Sequence, residues 1–166
     1  MIVRRLFGKV DRDSARKTAH SYFFFYKRIS ETNQRLLPSA GAAPPSCPAY
    51  QKAIEECYPF HPRLLKTAEE RLGAMASFQK SRGVLRLFAR IIRDVWGHKA
   101  ECGLISAGDI NWADKDIQAD LLNRLQKDRF TAAIKADISG HALDLDGGTR
   151  GIHVRAASAL LIESLD

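Results

Sequence analysis

Cysteine is scarce in this chain: Cys47, Cys57 and Cys102 are the only three among 166 residues. Their odd number and the lack of any C-x-x-C pair exclude a disulfide framework and a zinc knuckle. No apolar run approaches the roughly 18 residues of a membrane span, and the opening MIVRRLFGKV has too short an apolar stretch for a signal peptide. The expectation is a cytoplasmic chain with no membrane partner. Also missing is G-x-x-x-x-G-K-[ST], the loop whose backbone amides and lysine hold nucleotide phosphates, and with it any apolar strand ending in Asp-Glu for magnesium. The chain is therefore not a complete P-loop ATPase. His20, His61, His98, His141 and His153 form no H-E-x-x-H and no i, i+4 pair, so a metal site has no local support. No Ser/His/Asp or Cys/His set can be assembled with useful specificity, so no complete catalytic site is expected.

What the chain does contain is ordinary globular composition, 45% apolar and 27% charged, in a length suited to one domain with a buried core. Its net charge of +7 is unevenly placed. Residues 1–30 carry eight Lys/Arg against two Asp, residues 61–100 carry nine against three acids, and residues 101–166 carry seven against eleven. A basic surface facing an anion, with a more acidic tail, follows from that asymmetry.

Periodicity divides the chain into a helical segment 1–36, a proline-rich loop 37–48, a helical region 49–100 and a helical extension 101–166. The fold class is mainly α. In the first segment Asp11 is placed to cap a helix in which Ala15, Ala19, Tyr22, Tyr26 and Ile29 recur at helical spacing, and Tyr22-Phe23-Phe24-Phe25-Tyr26 predicts burial on more than one side. Pro59 and Pro62 fix the backbone around Phe60-His61, with Pro62 at the first position of a helix buried through Leu64, Leu65, Ala68 and Leu72. His61 between the prolines reads as a structural hydrogen-bonding residue. A helix over 114–126 turns Ile117, Leu121, Leu122 and Leu125 inward. A shorter one, RFTAAIKADI, is expected to end at Gly140, and ALDLDGGTRG to form a turn or a short β-hairpin near 142–152. An amphipathic helix closes the chain.

FQKSRGVLRLFARIIRDVW, residues 78–96, carries the most information. At about 100° per residue, Arg82, Arg86, Arg90 and Arg93 fall within an arc of about 80°. Val84, Phe88, Ile91 and Val95 centre on the opposite face, flanked by Leu85, Ile92 and Trp96. The arginine face is free to be merely wet, and it is also the geometry that tracks phosphates, along a nucleic acid or at one nucleotide. DGGTRG lacks the Lys-Ser/Thr ending of a phosphate loop and reads as a turn. DINWADKD has Ala113, Asp114 and Asp120 where a calcium loop needs an oxygen ligand, a glycine and a bidentate glutamate, which argues against calcium.

YPFHPRLL at 58–65, followed by the arginine helix, resembles a family of bacterial P-loop ATPases of the AAA+ type, whose function is poorly characterised. These are encoded beside DNA methyltransferases and helicases in phage-defence and restriction-like islands, BREX-like systems among them. The family pattern is close to Y-P-F-H-P-x-L, then F-Q-x-T-R-G-x-L-R-L-L-A. Tyr58, Pro59, Phe60, His61, Pro62, Leu64, Phe78, Gln79, Arg82, Gly83, Leu85, Arg86, Leu87 and Ala89 match it, while Ser81 replaces the usual Thr and Phe88 the second Leu. The flanking segments are similar too, so the resemblance spans nearly the whole chain but omits the nucleotide-binding core.

The resemblance implies a helical lid and its continuation from an ATP-hydrolysing protein, a lid-like bundle inactive alone. ATP and magnesium would then be held through an upstream core domain or subunit, with DNA or DNA-modifying enzymes as further partners. An arginine near the start of a lid helix would reach the phosphates at the sensor-2 position. The Gly83 to Arg86 spacing makes Arg86 the first choice and Arg82 the second. Two other readings stand beside it. One is a stand-alone nucleic-acid-binding module using Arg4, Arg5, Arg12, Arg16 and Lys17 with Arg90 and Arg93 of the stripe. The other is an interaction domain whose basic face docks an acidic partner.

Overall fold

A computed structural model describes residues 2–36, 48–72, 81–98, 103–123 and 129–164. Phe78 and Gln79, most of the proline-rich loop and Leu125 lie outside the described residues. The chain is mainly α, and among the described residues there is no sheet. The extended pairing found among them is an isolated parallel bridge between Phe60 and Ile105. No described helix is long and apolar enough to cross a membrane.

Helix α1 spans Val3–Leu6 and α2 spans Arg12–Leu36. Asp11 starts α2, its carboxylate accepting the Asp13 amide as an N-cap side chain does. Ala15 and Ala19 are buried, and their small size lets α2 lie against α3, Pro48–Cys57. The aromatic run is buried on one side only, contrary to expectation: Phe24 and Phe25 are 53% and 45% exposed. Five consecutive rings circle a helix, and α3 covers just the arc that holds Tyr22 and Tyr26.

Helix α4, Pro62–Thr67, widens into a π-helical turn over Ala68–Leu72. Pro62 occupies its first turn, where a missing N–H costs nothing. Helix α5 spans Ser81–Gly97 and supplies the centre of the core through Val84, Leu87, Phe88, Ile91, Ile92 and Val95. Leu87, outside the apolar arc read from the wheel, is thus as buried as Phe88. Trp96, read as part of that arc, is 63% exposed, with its edge against Phe7.

A 3-10 turn at Ala107–Asp109 leads to α6, Lys115–Gln118, which continues as a π-helix over Ala119–Asn123. Asp114 caps α6 by accepting the Asp116 and Ile117 amides, and Ile117, Leu121 and Leu122 are buried. Helix α7, Arg129–Ala133, does not stop at Gly140 as expected. It widens to a π-helix over Ile134–Ala142 and runs on as α8, Leu143–Leu145, since one interior glycine costs a helix only about 1 kcal/mol. Ile134, Ile138 and Ala142 are buried along it.

Of the two forms expected for 142–152, the turn is made after Leu145 and the β-hairpin is not. Gly147 and Gly148 take φ of 72° and 81°, and their amides donate to the carbonyls of Asp144 and Leu143. That is the Schellman ending of a helix. Asp146 then turns inward rather than pairing with a strand. Its carboxylate accepts the backbone amides of Gly151, His153 and Val154 and so caps α9, Ile152–Glu163. Gly151 is required there, because a Cβ would lie 2.7 Å from the Asp146 carboxylate.

A candidate oxyanion site on the arginine helix

The apolar side of α5 is packed into the core, which fixes the direction of its arginine side. Opposite that side stands the α6 segment, whose Asp116 and Asp120 are one helical turn apart and so share a face. Asp120 has a side chain only 6% exposed. Arg86 grips it side-on, Nε donating to Oδ2 at 3.2 Å and Nη2 to Oδ1 at 2.7 Å. Arg90 also binds the carboxylate, its Nη1 donating to Oδ2 at 2.7 Å and to the Asp116 carbonyl at 2.6 Å. Arg93 lies 3.7 Å from the Asp116 carboxylate. Arg82 is exposed and makes no ion pair among the described residues.

The stripe is therefore not simply wet. Two of its guanidiniums are held by one buried carboxylate, while three arginines meet two aspartates and the surface stays net positive. Arg86 keeps 46% of its side chain exposed against 24% for Arg90. Its hydrogen bond to Asp120, opposed by partial desolvation, pushes the guanidinium further above its ordinary pKa, so it is a permanent cation. Asp116 and Asp120 went unrecognised in the sequence as partners of the stripe. Their i, i+4 spacing is visible, but the 34 residues separating Arg86 from Asp120 hide the pairing.

The Y-P-F-H-P segment sits apart from the stripe and acts as a clasp. The Tyr58–Pro59 peptide is cis, the His61 amide donates to the Ile105 carbonyl, and the Ile105 amide donates to the Pro59 carbonyl, both at 2.8 Å. Phe60 is fully buried and packs edge-on against Phe88 of α5, ring centroids 4.9 Å apart. His61 caps α4, its Nδ1 accepting the Arg63 amide at 3.2 Å. A neutral imidazole that accepts at Nδ1 carries its proton on Nε2, so Nε2–H donates to the Tyr26 hydroxyl at 2.6 Å. The rings of Tyr22, Tyr26 and Tyr50 surround it. Burial lowers the His61 pKa and raises those of Tyr26, Tyr50 and Cys57.

The neutral ring has a measurable consequence. With the folded pKa below the free value of 6.5, the unfolded chain takes up the proton first. The contribution of His61 is therefore complete above pH 6.5 and lost as pH falls below it. Tyr26→Phe removes the acceptor of a part-buried Nε2–H and is expected to cost about 1–3 kcal/mol at pH 8 in denaturant unfolding.

Of the other basic residues singled out in the sequence, Arg4, Arg12 and Arg16 line a cleft of about 1070 Å³ together with Lys9. Asp11, Asp13, Glu55 and Glu56 line it too, so its charge is mixed. Arg5 and Lys17 are exposed elsewhere. Gly83 is buried on α5.

No curated protein and no solved structure matches the chain. The DUF499 second domain matches residues 1–144, a span that includes the Y-P-F-H-P clasp, the arginine helix and the buried Asp120 that joins Arg86 to Arg90. The chain belongs to the DUF499 second-domain family.

Proposed function

We propose that this domain is the helical, lid-like part of an ATP-hydrolysing protein in a DNA-targeting defence or restriction-like system, not catalytic alone. In this reading Arg86, seconded by Arg82, meets the phosphates of a nucleotide whose magnesium and phosphate loop belong to a separate core domain. The observation that supports it is the state of Arg86. It stands on a helix anchored by six buried apolar residues, two of its five N–H groups are spent on Asp120, and nearly half of its side chain is open. A guanidinium held in this way presents a fixed positive charge to an oxyanion without first having to be ordered.

A nucleic-acid-binding module finds less support, because the basic residues of α1 and α2 are interleaved with four acids around their cleft. Such a module would hold short duplex DNA with steep salt dependence, whereas the expected result for this chain is negligible DNA binding and only weak contact with free phosphates until the core domain is present. In the full-length protein Arg86→Ala should lower ATP turnover by at least about tenfold, within the range for removing a cation that stabilises phosphoryl transfer. Unchanged turnover, with the fold intact by circular dichroism, would remove Arg86 from the site and make Arg82→Ala the next variant.

A further inference from the structure

We infer that Asp120 is a positioning residue, which aims Arg86 so that its outer edge forms the seat of a phosphate-type oxyanion. This rests on the role proposed for Arg86. A guanidinium has two edges able to take an oxyanion in bidentate fashion: a side edge made by Nε with one Nη, and an end edge made by the two Nη atoms. Asp120 occupies the side edge of Arg86 through Nε and Nη2. The remaining three N–H groups have no acceptor among the described residues, and they include both Nη atoms of the end edge.

Asp120 could instead be a stand-in that phosphate displaces, and burial decides between the two. The carboxylate is 6% exposed and lies in the π-helical turn of Ala119–Asn123, with Leu121 and Leu122 beside it in the core. Taking Arg86 away from it would strip a buried charge of two hydrogen bonds, a strongly disfavoured state. Arg90, more enclosed than Arg86 and bound to both Asp120 and the Asp116 carbonyl, locks the carboxylate from the other side. Arg86, Arg90 and Arg93 against Asp116 and Asp120 leave a positive charge, so an incoming phosphate is still attracted. Asp120 thus serves as support in the way that outer carboxylates orient the ligands of a metal.

The test is a titration of this chain with inorganic pyrophosphate, followed through the arginine side-chain signals in nuclear magnetic resonance. The Arg86 Nη signals should move while its Nε–H signal and the Asp120 carboxyl carbon stay in place. If the Nε–H signal and the carboxyl carbon shift in step with pyrophosphate, Asp120 is being displaced and the inference is wrong. Silence at Arg86 overturns it equally. The variant Asp120→Asn adds a test of sign. Simple electrostatics predicts tighter binding once a negative charge is gone, whereas loss of positioning predicts binding weaker by about tenfold or more, so tighter binding also overturns it. Neither readout depends on hydrolysis. A seat that forms here while Arg86→Ala leaves ATP turnover unchanged would refute the nucleotide role and leave the geometry standing.

Discussion

Phe88→Ala is expected to destabilise the chain by about 3–5 kcal/mol, the range for truncating a buried aromatic. The ring is 1% exposed and meets Phe60 edge-on with an interplanar angle of 83°. Phe60 in turn touches Phe7, so one side chain joins α5 to the Y-P-F-H-P clasp and, through it, to the start of the chain. The backbone on either side of Phe60 is held by the two hydrogen bonds of His61 and Pro59 to Ile105, which limits how far the main chain can shift to close a cavity at this place. Against a typical total of about 5–15 kcal/mol, the loss is a large part of the stability. Urea unfolding should show a lower midpoint with an unchanged slope. A loss below about 1 kcal/mol would mean that the ring is not in a well-packed interior. A double-mutant cycle with Phe60→Leu should give about 0.5–1.5 kcal/mol of coupling, the share owed to ring geometry.

The second large effect is expected at Asp146. Burial alone would raise the pKa of this carboxylate, but the amides of Val154, His153 and Gly151 and the His153 side chain outweigh it and hold the pKa at about 2. The unfolded value is 3.8, so the folded state binds the proton less readily than the unfolded chain. The contribution of Asp146 is complete above pH 3.8 and disappears as pH falls to about 2. Helix α9 should fray across that window. Asp146→Asn, which cannot carry the charge, should lower stability at neutral pH and flatten the acid limb of the stability curve between those values. An acid limb identical to that of the wild type would show that other carboxylates govern it.

Much of the fold was legible because it follows from local rules. The cap at Asp11, the proline at the start of α4, and the inward sets Leu64-Leu65-Ala68 and Ile117-Leu121-Leu122 are decided by residues within a turn or two of one another. Errors arose where tertiary contacts overrode such signals. Gly140 looked like a helix end, yet buried Ile138 and Ala142 on either side hold the helix together across it. The two glycines after Asp146 read equally as a turn or as the tip of a hairpin, and the turn forms because a helix stop uses the same left-handed conformations. Of the candidate site, the arginine arc was readable from its period alone. Its organising carboxylate was not, since nothing local to Asp120 shows that two guanidiniums from another helix will close over it.

The family match ends at residue 144, but the core does not. Val154, Leu161 and Ile162 of α9 belong to the main apolar cluster, and Glu163 accepts a two-pronged ion pair from Arg63 and a hydrogen bond from the Thr67 hydroxyl, both on α4. The matched span is thus shorter than the span that shares one apolar cluster. Helix α9 lies beyond the family match and still closes the interior that the matched residues build.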